Sequence, residues 1–151
     1  MSAARTLRCR TVAEGRSRQV TYVRDLPPLP ADEPSAIPGG DPAPQPLELL
    51  LSALGSCLAA NLRANAVARG IVLSRLELDV EADMAAAPMD GPGPEPLGFE
   101  TVRVTVRIGA DDAPREALAA LVSRSALWSP VANTLHNGAN LEVSLAAPGT
   151  G

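Results

Sequence analysis

Few residues in this chain are equipped for chemistry. The two thiols are Cys9 and Cys57, and the lone imidazole is His136. Cys57 stands at the midpoint of the apolar run P-L-E-L-L-L-S-A-L-G-S-C-L-A-A-N-L-R-A-N-A-V-A-R-G, Pro46 to Gly70. A thiolate there would be a nucleophile toward an electrophilic oxygen or sulfur. Apolar burial opposes ionisation of a thiol, and backbone N–H groups in mid-helix are already bonded, so activation requires a cation brought from elsewhere. All 13 basic residues are arginine, so that cation is a guanidinium, which keeps its charge. Arg16 can be delivered from a hairpin tip, and Arg18 and Arg24 are the next candidates. One histidine and a distant thiol make no metal site, and no nucleotide-binding glycine loop is present, so neither metal nor cofactor is expected.

The element that must hold Cys57 is a helix. Proline at its first position and glycine just past its end frame about 24 residues, roughly 36 Å of helix. Apolar residues surround its axis, the pattern of a helix buried on nearly every side. A chain of 151 residues seldom encloses such a helix alone, so a sheet or a second subunit is expected to cover it. Glu48, Ser52, Ser56, Asn61, Arg63 and Asn65 within it argue against a membrane span. Asn61 lies one turn beyond Cys57 on the same face and is placed to line a pocket.

Around the helix, residues 5–12 and 18–24 alternate and flank Gly15, which predicts a β-hairpin with Arg16 at its tip. Eight prolines between Pro27 and Pro46 predict an extended connector over 26–45, with a turn at Gly39-Gly40. Val72–Ala82 and Phe99–Ile108 alternate strongly and read as paired strands joined by a Pro/Gly-rich loop over 84–98. Asp111-Asp112-Ala113-Pro114 opens a helix to about Leu127. Ser129-Pro130 starts a short helix that stops at Asn137-Gly138, and Leu141–Leu145 reads as a closing strand. The order is ββ-α-ββ-αα-β, a single α+β domain over 1–151, with the hairpin in 1–25, the connector in 26–45, the central helix in 46–70, and sheet and C-terminal helices in 71–151.

Composition narrows the partners. One Phe, one Tyr and one Trp give no aromatic platform for bases or sugars, and a net charge of −4 speaks against nucleic acid. Met1–Arg10 carries three arginines but no apolar h-region, so a soluble cytoplasmic protein is expected. A structural disulfide between Cys9 and Cys57 is not expected there. Cys9, on a predicted strand, is read as a core residue. His136 falls in the last turn of a short helix, where an exposed, dipole-favoured position suits it.

Four blocks, A-D-E-P at 31–34, G-G-D at 39–41, P-L-E-L-L-L-S-A-L-G-S-C at 46–57 and S-P-V-A-N-T-L at 129–135, resemble the OsmC/Ohr superfamily of osmotically inducible and organic-hydroperoxide-resistance proteins, and more closely its general OsmC-like branch. The resemblance spans nearly the whole chain. It implies a sheet around a long central helix in an intertwined homodimer, and a thiol peroxidase acting on organic hydroperoxides with both sites at the interface. It assigns Cys57 as the attacking thiolate, Arg16 as the guanidinium and Glu48 as a carboxylate near the helix start. It also implies a second, resolving cysteine directly before a Pro-Val. Here that position is Ser129, before Pro130-Val131, which leaves an external thiol to return the oxidised sulfur. Ser before Pro is equally a helix N-cap pair. Glu48 lies nine residues before Cys57, on the opposite face of a straight helix, where a first-turn acid also satisfies the dipole. Trp128 reads as an apolar plug near the site. Two functions follow: a one-cysteine peroxidase, or a family scaffold that has lost turnover and serves as a binding or stress-associated protein.

Overall fold

The structure is a computed structural model that describes residues 4–15, 17–33, 43–84 and 97–147. It is α+β, with the elements β1 (Arg10–Glu14), β2 (Arg18–Tyr22), β3 (Leu29–Ala31), α1 (Pro46–Ala68), β4 (Arg75–Met84), β5 (Phe99–Gly109), α2 (Arg115–Leu127) and α3 (Pro130–Asn137). They fall into two compact units, Met1–Ser52 and Ala53–Gly151.

The first unit is a three-stranded antiparallel sheet in the order β1-β2-β3. Gly15 reverses the chain with φ +74°, a left-handed conformation that a side chain would resist, and brings Glu14 opposite Arg18. The first strand starts at Arg10, later than its alternation predicts, so Cys9 lies before it and is exposed instead of packed in a core. The proline-rich stretch is also less irregular than expected. Pro30 sits within β3, opposite Val20. β3 pairs on one side only, and an edge strand tolerates a residue that lacks an N–H. The expected Gly39-Gly40 turn lies outside the described residues. Directly after β3, Asp32 is buried at 8% exposure, where its carboxylate accepts the Ser17 hydroxyl at 2.6 Å and the Glu33 N–H at 2.9 Å. These two donors hold the Asp32 pKa below its ordinary value, the Ser17 hydrogen bond most of all.

In the second unit β4 and β5 pair antiparallel from Arg75↔Gly109 to Met84↔Phe99, as their alternation predicts, with one irregularity at Asp83/Met84, although β4 starts at Arg75 instead of Val72 and runs on to Met84. The outward positions carry ion pairs, Arg75 with Glu77, Arg103 with Glu81 and Asp83, and Arg107 with Asp79. The inward positions Leu76, Leu78, Val106 and Ile108 pack with Leu62, Ala66 and Leu121. Gly55 permits close approach of α1 to the strand, since a Cβ there would stand 3.2 Å from the Val80 methyl. α1 ends as its glycine predicts: Gly70 adopts φ +66°, Ile71 N–H donates to Ala66 and Gly70 N–H to Val67, the paired bonds of a Schellman motif.

Two further expectations are corrected, for α2 and for Leu141–Leu145. For α1 the single chain, as expected, does not enclose the helix alone: Leu54, Leu58, Leu62 and Ala66 form its buried stripe, while Val67 is 77% exposed. It is also long and apolar enough, by length and composition, to cross a membrane. α2 begins at Arg115, after Asp111-Asp112, because a residue ahead of Pro114 is pushed out of the helical region; Glu116 is its first-turn acid. Leu141–Leu145 forms no strand. It runs with Leu141, Val143 and Leu145 at 84–99% exposure, because alternation becomes a strand only where a neighbouring edge accepts it.

Candidate active site

Cys57 is half-buried on α1, and its sulfur has a hydrogen-bond partner from 72 residues further along the chain. The Ser129 hydroxyl donates to Cys57 Sγ at 3.3 Å. Ser129 is fully buried and is also the N-cap of α3, its oxygen accepting the Ala132 N–H at 3.3 Å. Both readings of Ser129, cap and neighbour of the thiol, therefore hold together.

The junction of α2 and α3 supports this serine. The last carbonyls of a helix lack intrahelical donors. Here asparagine amides supply them: Asn133 Nδ2 donates to Leu127 O at 3.0 Å and Asn61 Nδ2 to Trp128 O at 3.2 Å. Ser129 N–H donates to Ala126 O, and Asn133 N–H to Ser129 O. One turn further along α1, Asn65 Nδ2 donates to the hydroxyl of Ser125, which is also fully buried. Cys57, Asn61 and Asn65 thus form a ladder at four-residue spacing, facing Ser129, Trp128 and Ser125.

The predicted residues separate accordingly. Cys57, Asn61, Trp128 and Ser129 meet in one place. Trp128 takes part through its carbonyl, and its side chain is 72% exposed. Glu48 is an exposed first-turn residue whose Oε2 accepts the Gln45 N–H at 2.8 Å, so it caps its own helix. Arg18 approaches Glu14 at 4.0 Å, Arg24 occupies a turn at φ 50°, and Arg16 lies outside the described residues. His136 is exposed in the last turn of α3. Asn65, Ser125 and Asn133 brace this junction through hydrogen bonds and are not singled out as site residues by the sequence. The four-residue spacing from Asn61 is the one signal for Asn65, and Asn133 sits inside the S-P-V-A-N-T-L block. A groove of about 500 Å³ elsewhere in this unit is lined by Val104, Val106, Ile108, Leu118 and Val122 together with Arg75, Arg107 and Arg115; neither Cys57 nor Ser129 lines it. Among the described residues no cluster of three metal-ligating side chains occurs.

The family model described as OsmC-like protein matches residues 39–144. No curated protein matches the chain. Similar solved structures include an OsmC-like protein from Mycoplasma pneumoniae, 20% identical over 89% of each chain with a TM-score of 0.74. The organic hydroperoxide resistance protein OsmC from Legionella pneumophila is 20% identical, covers 91% of this chain and 93% of its own, and has a TM-score of 0.64. The organic hydroperoxide resistance protein OhrB of Bacillus subtilis is also 20% identical, with coverage of 87% and 91% and a TM-score of 0.60.

Proposed function

Because this chain belongs to the OsmC-like protein family, we propose that it reduces organic hydroperoxides through Cys57 in a one-cysteine cycle. The observation that carries the reading is the setting of Cys57: half-buried at mid-helix, against a buried hydroxyl where the resemblance expects a second thiol. The hydroperoxide-resistance names of the Legionella and Bacillus proteins support the substrate class.

The thiolate attacks the terminal, hydrogen-bearing oxygen of RO–OH. An S–O bond forms as the O–O bond breaks, sulfur loses two electrons to the peroxide, and the departing alkoxide takes a proton to become ROH. Cys57 is left as sulfenic acid. An external thiol then attacks that sulfur, releasing water and forming a mixed disulfide. A second external thiol displaces Cys57 and carries away the disulfide. Arg16 is assigned as the guanidinium that favours the thiolate, and Glu48, by the resemblance, as the accompanying carboxylate. The active species is assigned as a cytoplasmic homodimer. The exposed apolar residues of α1 and the bare Leu141, Val143 and Leu145 support the second copy.

The test is mass spectrometry of the protein after treatment with an organic hydroperoxide. Sulfenic acid at Cys57, passing to higher oxides as peroxide rises, with turnover only when a thiol is added, is the expected result. A Cys9–Cys57 disulfide as main product overturns the one-cysteine cycle. No oxidation of Cys57 under excess peroxide removes the peroxidase and leaves the second reading, a binding protein on the same fold, which the hydroxyl at position 129 favours.

A further inference from the structure

We propose that Ser129 is a catalytic residue whose hydroxyl donates a hydrogen bond to the Cys57 sulfur while that sulfur carries negative charge. The proposal rests on the reading of Cys57 as the attacking thiol and adds a function for the residue where the family's second thiol is missing.

A serine hydroxyl owns one hydrogen and two acceptor sites. The Ala132 N–H occupies an acceptor site at 3.3 Å, and the single hydrogen goes to Cys57 Sγ at 3.3 Å. Ser129 is fully buried, so no bulk water competes for that hydrogen. Turning the hydroxyl away would leave a buried donor unpaired, which is unfavourable. The backbone is fixed as well: Ser129 N–H is bonded to Ala126, Ser129 O accepts from Asn133, and the two preceding carbonyls are held by Asn133 and Asn61. The donor is aimed before any peroxide arrives.

Such preorganised donors matter where charge resides or develops. The hydroxyl transfers no proton and forms no bond in the attack. It holds charge on sulfur in the reactive form, while its oxygen, unlike a thiol, leaves the sulfenic acid standing for an external reductant. A hydrogen bond to a thiolate raises its share but blunts each ion, and the first effect wins because nucleophilicity follows basicity with a slope below one. The signature is therefore a pH-dependent advantage.

The experiment uses the full chain carrying Cys9→Ser, which removes the other thiol, with Ser129→Ala and Ser129→Gly compared with the Ser129 parent. Glycine keeps an acceptable N-cap if alanine loosens α3. Alkylation of Cys57 by iodoacetamide near pH 7 should slow about three- to tenfold in both variants. Above about pH 10, where an ordinary thiol is ionised, the difference should vanish or invert. Equal rates near neutrality, or the same slowing at both pH values, overturn the proposal, since the latter marks a merely structural loss. If the parent is not oxidised by hydroperoxide yet shows this pattern, the peroxidase reading fails and the role of Ser129 at the sulfur stands. If the parent is oxidised and alkylation ignores Ser129, the reverse holds.

Discussion

The side-chain amide of Asn61 donates to the carbonyl of Trp128 at 3.2 Å and ties the middle of α1 to the end of α2. That carbonyl precedes Ser129, so this bond sets where the serine hydroxyl stands. Asn61→Leu should lower stability by about 0.5–1.5 kcal/mol, the net worth of one hydrogen bond. In a Ser129→Cys background the same change should slow disulfide formation with Cys57 under a mild oxidant. In the parent the Ser129 oxygen stands 3.3 Å from the Cys57 sulfur, and a sulfur in its place would close to about 2.05 Å in the disulfide. A disulfide that forms as fast without Asn61 would show that the asparagine does not position the junction.

The hydrophobic centre of the second unit is Leu62 against Leu121, each 1% exposed. Leu121→Ala leaves a void among Leu62, Ala66 and Val122 and should destabilise by about 2–5 kcal/mol. Leu127→Ala, at a position 72% exposed, should change far less. Chemical denaturation of the two variants checks the order, and comparable losses would contradict the placement of the core.

These contacts mark how far the sequence can be read. Pro46 and Gly70 announce the limits of α1 because both act through local backbone geometry, and four-residue spacing places Asn61 on the face of Cys57. The alternation of β4 and β5 is legible for the same local reason. β3 is not, because Pro30 disfavours a strand everywhere except at an edge, and edge position is a tertiary property. Leu141–Leu145 errs the other way: its alternation is real, but among the described residues it has no strand partner. Ser129-Pro130 is readable as a cap, whereas the meeting of that hydroxyl with a thiol 72 residues away is not written in any local pattern.

Acid should act on the first unit through Asp32. Its carboxylate is stabilised as an ion by Ser17 and Glu33, which places its folded pKa below its unfolded value. The stability this gives is complete above about pH 4, and it is lost as pH falls through the unfolded and then the folded pKa. Asp32→Asn removes the ion, so the gap in urea midpoint between parent and variant should be full at neutral pH and shrink below about pH 4. A gap that stays constant into acid would show that ionisation of Asp32 contributes nothing.

A second copy of the chain is expected to cover the bare apolar positions of α1 and of residues 141–145. Sedimentation or light scattering should give a mass of two chains. Leu141→Asp and Val143→Asp together, both at positions above 80% exposed in the single chain, should shift the population toward monomer. A well-folded monomer of the parent at micromolar concentration would exclude the dimer.

Glu48 separates helix capping from chemistry. Its carboxylate accepts the N–H of Gln45, the residue whose carbonyl takes the Leu49 N–H and so starts the helical bonds of α1. Glutamine makes the same capping bond, and alanine cannot. Glu48→Ala should therefore lower stability by about 0.5–1 kcal/mol through loss of the cap. Glu48→Gln should keep most of the stability, less a few tenths of a kcal/mol for the lost charge at the helix N-terminus. If capping is the whole of its role, the hydroperoxide rate of Glu48→Gln stays within about twofold of the parent, about 0.4 kcal/mol in barrier, because the retained cap leaves α1 in place. The role assigned to Glu48 by the resemblance predicts a larger loss. A glutamine variant that melts like the parent but reduces hydroperoxide about a hundredfold more slowly would assign the carboxylate to general acid–base catalysis, for which effects of that size are usual.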